Sequence, residues 1–307
     1  MKGIVIKSTG NNYKVRLDDG RQVDGKIRGN LRLVDFGATN PITVGDCVEV
    51  EIGEVDEHLY WITGLEPRKN YIIRKSVKLS KQVQILAANI DRAFIVATPV
   101  LPRTSLGFID RFLSTAEAYS VPAGIIWNKS DLFDEAVWKY VNEVCAMYTS
   151  IGYLTIAVSA QTGEGLETLK EHLSGKLNLL AGHSGVGKTS LINALIPGIN
   201  LKTAKLSSQH MKGVHTTTFA EMHTLPFGGY LIDSPGIREF GIFDFDKYEV
   251  SHYFPEIFEE GKKCKYGNCS HTTEKDCAVK PAIEEGRIAY SRYDSYLSIL
   301  SGQDIYK

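Results

Sequence analysis

Over residues 1–67, short stretches alternate apolar and polar side chains with a period of two. Examples are Tyr13-Lys14-Val15-Arg16-Leu17, Asp46-Cys47-Val48-Glu49-Val50-Glu51 and Tyr60-Trp61-Ile62, separated by turns such as Asp18-Asp19-Gly20. A period of two turns one face of each strand inward, so this region predicts a small antiparallel β domain, and at this size a five-stranded barrel of the OB type. From residue 93 the pattern changes. Continuous apolar runs at 93–97, 123–127, 155–158, 177–181 and 230–232 read as strands buried on both faces, and helical stretches at about 107–119, 135–149 and 190–195 alternate with them. Such alternation implies a mainly parallel sheet covered by helices on both sides. Helical patterning returns at about 246–260, interrupted near Pro255, and at 282–300, where Ile288, Tyr296, Leu297 and Ile299 form a core stripe.

Composition adds limits. At 307 residues, a prior of ~150 residues per domain gives two domains and room for an appendage. An apolar share of 43% with 23% charged residues is ordinary for a globular chain, and a net charge of −1 gives no whole-chain argument for nucleic acid. The distribution is uneven: residues 2–33 hold eight Lys/Arg against three Asp, whereas 44–66 hold seven Asp/Glu and no Lys/Arg. One face of the barrel is therefore expected to be basic, and the fold fits either an oligonucleotide or a protein partner. The stretch 67–81 carries six basic residues and no acidic ones and reads as a connector, either solvated or in contact with a polyanion. No run approaches the ~18 apolar residues of a membrane span, and residues 1–7 do not resemble a signal peptide, so the expected location is the cytoplasm, without a membrane partner. Cys47 and Cys145 are isolated, while Cys264, Cys269 and Cys277 cluster beside His271.

The chemistry centres on Gly182-His183-Ser184-Gly185-Val186-Gly187-Lys188-Thr189-Ser190, which fits G-x-x-x-x-G-K-[ST] between an apolar strand and a helix. Its backbone N–H groups are expected to face phosphate oxygens, Lys188 to reach the β- and γ-phosphates, and the Thr189 hydroxyl to ligate Mg²⁺. Asn128-Lys129-Ser130-Asp131 follows a strand and reads as a guanine loop. The Asp131 carboxylate accepts from both guanine N–H groups but meets a ring acceptor on adenine, which leaves a buried charge unpaired. Asn128 would brace the loop, the Lys129 stem would cover the base, and Ser159-Ala160 would offer a backbone N–H to the guanine carbonyl. Residues 199–218 lie where a first switch belongs, with Thr217 chosen from Thr216-Thr217-Thr218 as a second Mg²⁺ ligand. Asp233-Ser234-Pro235-Gly236 fits D-x-x-G, with Asp233 on Mg²⁺ and the Gly236 N–H at the γ-phosphate.

The guanine loops precede the phosphate loop and the switches follow it, which is a circular permutation of the usual GTPase order. With Ala87-Ala88-Asn89-Ile90-Asp91, Gly213-Val214-His215-Thr216-Thr217, Ile237-Arg238-Glu239-Phe240 after D-x-x-G and the Cys/His cluster, the chain resembles the circularly permuted GTPases that mature the small ribosomal subunit, the RsgA (YjeQ, YloQ) family. The resemblance covers nearly the whole length. It implies a GTPase strongly activated by the small subunit, with barrel and zinc domain gripping ribosomal RNA and protein.

The expected architecture is multidomain: an OB-fold β-barrel at 1–67, a circularly permuted α/β P-loop GTPase domain with an N-terminal linker at 68–242, and a mostly helical zinc-binding domain at 243–307. Cys264, Cys269, His271 and Cys277 supply three thiolates and one imidazole within fourteen residues, which suits one tetrahedral, structural Zn²⁺. Lys262, Lys263, Lys265 and Lys275 surround them, fit for phosphate contact or for solvent. The residue after D-x-x-G is Ile237, which cannot orient water, so slow intrinsic turnover is expected, with His215 as candidate catalytic group alongside Lys188. The resemblance points to the same histidine. The expected function is GTP hydrolysis to GDP and phosphate by a monomer on the small subunit; the alternative is a non-hydrolysing, GTP-dependent RNA-binding switch.

Overall fold

The computed structural model describes residues 1–29, 41–53, 59–75, 83–199, 201, 221–233 and 247–302. Five strands, β1 (Lys2–Thr9), β2 (Asn12–Leu17), β3 (Gln22–Ile27), β4 (Cys47–Ile52) and β5 (Leu59–Leu65), close on themselves in the order β1-β2-β3-β5-β4-β1. All pairings are antiparallel except β3 with β5. The predicted alternation holds: Val5, Tyr13, Val15, Leu17, Val48, Val50, Tyr60 and Ile62 fill the interior.

The barrel is not a free appendage. The first half of β1 closes it against β4, with Lys2 opposite Glu49. A bulge between Val5 and Lys7 then re-aims the strand, as a residue inserted into one strand of a pair does. Beyond the bulge, Lys7 pairs with Glu221 of the central sheet, while Ile4 and Ile6 pack on the central core.

The connector contains β6 (Tyr71–Lys75), which pairs with β7 (Val83–Ala88) in a two-stranded sheet. Two of its cations are already engaged: Arg68 forms a buried ion pair with Asp46 at 2.7 Å, and Lys69 pairs with Asp91. The expectation of a solvated or polyanion-bound stretch therefore fails for Arg68, whereas Lys69 stays half-exposed. The motif Ala87 to Asp91 is a structural junction. Asn89 accepts from Lys69 N–H and donates to Gly45 O, and Asp91 accepts from Leu177 N–H, so barrel, connector and central sheet meet there.

The central sheet runs β10-β9-β8-β11-β13-β12, from β8 (Arg92–Ala97), β9 (Ala123–Asn128), β10 (Leu154–Val158), β11 (Leu177–Ala181), β12 (Glu221–Thr224) and β13 (Tyr230–Asp233). All neighbours are parallel except β12 with β13. In β8, Ala93, Ile95 and Ala97 face α1 (Leu106–Ala118) and α2 (Glu135–Ile151), whereas Phe94 and Val96 face α3 (Leu166–Leu173) and α4 (Lys188–Leu195). Both faces are dry, which is why these strands read as continuous apolar runs.

The C-terminal region holds a 3₁₀ turn, Val250–Tyr253, then α5 (Pro255–Gly261), α6 (Val279–Glu284) and α7 (Tyr290–Leu300). The helix expected over 282–300 is in fact two. Gly286, at φ +73°, ends the first by turning the chain so that Arg287 N–H reaches back to Ala282 O. The stripe Ile288, Tyr296, Leu297 and Ile299 does pack inward. Buried Arg292 of α7 binds Asp110 of α1 (2.8 Å) and, bidentately, Glu256 of α5 (2.6 and 3.1 Å). Asp110 also accepts from Ser295 and Tyr148, both at 2.6 Å. Burial works against the Arg292 charge, and Asp110 and Glu256 more than offset it.

Candidate nucleotide site and metal centre

The parallel strands end at one edge, and the motif loops among the described residues meet there, as open α/β sheets bind ligands outside the carboxyl ends of their strands. The loop from Gly182 to Gly187 leaves β11 and enters α4 at Lys188, with Ser184, Gly185 and Ser190 exposed and Thr189 half-buried in the first helical turn. Asn128, at the end of β9, is buried and bonds through both its amide nitrogen and its amide oxygen. Its Nδ2 donates to Val186 O at 2.9 Å, and its Oδ1 accepts from Ala160 N–H at 3.3 Å. A Cβ on Gly187 would lie 2.3 Å from that Nδ2, so only glycine permits the approach.

Lys129 takes the left-handed conformation, φ 70°, and its ammonium donates to Leu101 O at 2.5 Å, which stretches its aliphatic stem along the edge of the site. Burial lowers the Lys129 pKa, with Asp131 opposing. The adjacent 3₁₀ turn, Ser130–Leu132, presents Asp131, whose Oδ1 accepts from Ser159 Oγ at 2.5 Å. Ser159 Oγ in turn accepts from the N–H groups of Gln161 and Thr162. One Asp131 oxygen is thus fixed by a relay of donors. Ser130 donates to Glu164 at 3.1 Å and ties the two base-side loops together.

Lys188 folds over the phosphate loop, donating to Gly182 O at 2.5 Å and to His183 O at 2.6 Å. The His183 ring stacks on Phe108 of α1, centroids 3.6 Å apart. Burial, then the Lys188 charge, pushes the His183 pKa down. This contact was not foreseen, because nothing in the spacing of Phe108 and His183 links a helix to a loop so far along the chain. Asp233 ends β13, and its backbone pairs in register with Leu180, two residues before Gly182. His215, Thr217 and Gly236 lie outside the described residues.

On one sheet edge these loops bring together a glycine-rich turn, a buried asparagine brace and a carboxylate fixed by Ser159. The family model described as RsgA GTPase matches residues 65–243, and the RsgA N-terminal domain model matches residues 2–58. The chain belongs to the RsgA GTPase family. Relatives named small ribosomal subunit biogenesis GTPase RsgA include that of Bacteroides fragilis, 52% identical over 99% of this chain and 97% of its own, and that of Porphyromonas gingivalis, 52% identical over 99% and 98%. Among solved structures, YjeQ from Thermotoga maritima is 35% identical with a TM-score of 0.81, covering 98% of this chain and 97% of its own. YloQ, described as a circularly permuted GTPase, is 28% identical with a TM-score of 0.77, covering 98% and 94%. The barrel, the circularly permuted GTPase domain and the C-terminal cysteine cluster follow one another along the chain.

Cys264, Cys269, His271 and Cys277 bring their ligand atoms within 4.8 Å of one another. Nδ1 of His271 lies 3.6 Å from Sγ of both Cys264 and Cys277. Tetrahedral Zn²⁺ with ordinary Zn–S and Zn–N bonds gives an S···N edge of about 3.6 Å, so the donor set fits the ion. Burial, with crowding by the Cys277 and Cys264 thiols, pushes Cys269 up to about 12 against a hydrogen bond from the His271 backbone, the condition a bound cation reverses. The frame around the ligands is specific. Ala278 N–H donates to Cys264 Sγ, Tyr293 Oη to His271 O (2.6 Å) and Tyr296 Oη to Ser270 O (2.7 Å). The surrounding lysines are largely paired among the described residues: Lys262 with Glu259, Lys263 with Glu260 and Lys265 with Asp276. No helix among the described residues is long and apolar enough to cross a membrane.

Proposed function

We propose that this GTPase acts in late maturation of the small ribosomal subunit, in the cytoplasm and as a monomer, hydrolysing GTP to GDP and phosphate on the subunit and with its stimulation. The single observation that carries this is full-length identity of about one half to relatives named for small ribosomal subunit biogenesis, joined to a built guanine-side brace at Asn128. The division into barrel (1–67), GTPase domain (68–242) and zinc domain (243–307) follows the same reading.

Guanine is read by the Asp131 carboxylate and by the Ala160 N–H, which exchanges Asn128 Oδ1 for the guanine carbonyl, and is covered by the Lys129 stem. The N–H groups of the Gly182 to Ser190 loop hold phosphate, and Lys188 exchanges its carbonyl partners for the β- and γ-phosphates. Hydroxyl and carboxylate oxygens from Thr189, Thr217 and Asp233 make a hard donor set that suits Mg²⁺, which supplies charge neutralisation at the β- and γ-oxygens. Gly236 N–H meets the γ-phosphate, and His215 positions the attacking water, the position after D-x-x-G being Ile237. Zn²⁺ at Cys264, Cys269, His271 and Cys277 is structural, since four protein ligands leave no open position.

The deciding experiment is multiple-turnover phosphate release from GTP, with ATP as control, with and without purified small subunits. Stimulation by tenfold or more for GTP alone is expected. Tight GTP binding with no turnover in either condition would replace this reading by the non-hydrolysing RNA-binding switch. Unchanged stimulated turnover in His215→Ala would remove that residue from the mechanism.

A further inference from the structure

We infer that Lys7 and Arg16, both on the barrel, are positioning residues for GTP hydrolysis: they clamp the β12–β13 hairpin that sets Asp233 beside the phosphate loop. In sequence the hairpin follows the stretch assigned to the first switch and ends at the first residue of D-x-x-G. Its inner strand is anchored by parallel pairing to β11, with Asp233 opposite Leu180. Its outer strand, β12, has the barrel as its other neighbour.

The clamp has two points. At one end of β12, Lys7 pairs in register with Glu221, and Nζ lies 3.1 Å from Glu221 Oε2. At the other end, Arg16 Nη1 donates to Thr224 Oγ1 at 2.7 Å, and its guanidinium sits 5.7 Å from the centroid of the Tyr230 ring. Thr224 and Tyr230 face each other across the hairpin, so one guanidinium holds both strands where they turn. Lys7 reaches its place because the bulge after Val5 re-aims β1.

A partly exposed ion pair adds little to stability, so the Lys7–Glu221 pair and the Arg16–Thr224 hydrogen bond, at the two ends of one short strand, matter for register. A displacement of about 1 Å at a reacting centre costs up to ~100-fold in rate, and without the clamp the four-residue β12 is held by its backbone pairing alone. The inference rests on the proposed role of Asp233, and in its stimulated arm on the proposed partner.

The test uses the full chain carrying Lys7→Ala and Arg16→Ala together. Three quantities are read: affinity for GDP, affinity for a non-hydrolysable GTP analogue with Mg²⁺, and the kcat and KM of phosphate release with saturating small subunits. The clamp requires GDP affinity to stay within twofold, analogue affinity to fall fivefold or more, and kcat to fall tenfold or more with KM changed far less. Exchanging the charges, Lys7→Glu with Glu221→Lys, should recover most of what Lys7→Glu alone loses. Parallel loss of GDP and analogue affinity would reduce the pair to structural glue, and unchanged values for all three would remove it altogether. If the double variant fails to melt cooperatively, Lys7→Gln, which keeps the aliphatic stem, carries the same readouts. If wild type shows no turnover with small subunits, the proposed function fails, while the ratio of analogue to GDP affinity still decides the clamp.

Discussion

Asn128 donates to the carbonyl of Val186 at 2.9 Å, joining a residue of the guanine loop to one of the phosphate loop 58 positions along the chain. In the proposed function this bond couples the loop that reads the base to the loop that holds phosphate. Asn128→Ala would leave the buried Val186 oxygen without this donor, a cost of about 1–3 kcal/mol. GDP affinity is expected to fall ten- to hundredfold in a fluorescent-nucleotide titration. Gly187→Ala should do at least as much, because its Cβ would occupy the place of Asn128 Nδ2.

Ser159 holds one oxygen of Asp131 at 2.5 Å. Hydrogen bonds to charged groups contribute about 1.5–3 kcal/mol, so Ser159→Ala should weaken GTP binding about tenfold while preserving the preference over ATP. Asp131→Ala should abolish the preference itself. Competition binding with the two nucleotides separates the cases, and unchanged GTP affinity in Ser159→Ala would contradict the relay.

Arg292 joins the C-terminal region to α1 through Asp110 and Glu256. Breaking a buried pair strands the partner charge, at a cost of about 3–5 kcal/mol. Arg292→Met is therefore expected to lower the melting temperature strongly. Glu256→Gln should cost less, because it keeps an acceptor. Differential scanning calorimetry with the double variant measures the coupling.

Metal removal should act locally. We expect one zinc per chain by elemental analysis, and a chelator or Cys277→Ser should expose 247–302 to protease before the central domain. GDP affinity should change no more than a few-fold, since the nucleotide loops sit on a separate core. Retained protease resistance without metal would show that packing alone holds the region.

Glu274 accepts from Ser270 N–H, Ser270 Oγ and Thr272 N–H. Burial opposes its ionisation, but these bonds bring its pKa down to about 2. A lowered folded-state pKa stabilises the native chain fully above the ordinary carboxylate value of about 4.3, and this is lost as pH falls towards 2. The melting-temperature gap between wild type and Glu274→Gln should therefore narrow between pH 5 and pH 3. A gap independent of pH would show that the carboxylate charge is irrelevant.

The chain by itself determined the element types, the permuted motif order and the grouping of three cysteines and a histidine that could hold a metal, because these are written in local period and spacing. Alternation at Tyr13 to Leu17 and the apolar run 93–97 each report how many faces of a strand are buried, and Cys264 to Cys277 fit an ion within fourteen residues. The two helices mistaken for one at 282–300 show the limit of periodicity, since Gly286 interrupts the chain without changing the apolar stripe. Only the tertiary structure decided what the charged connector does, which strand of the central sheet the barrel joins, and what Arg292 and His183 touch. Those partners lie 22 residues away for Arg68, 182 for Arg292 and 214 for Lys7. A side chain's local pattern states that it is polar or apolar; the long-range packing of whole elements determines which partner can neutralise or cover it.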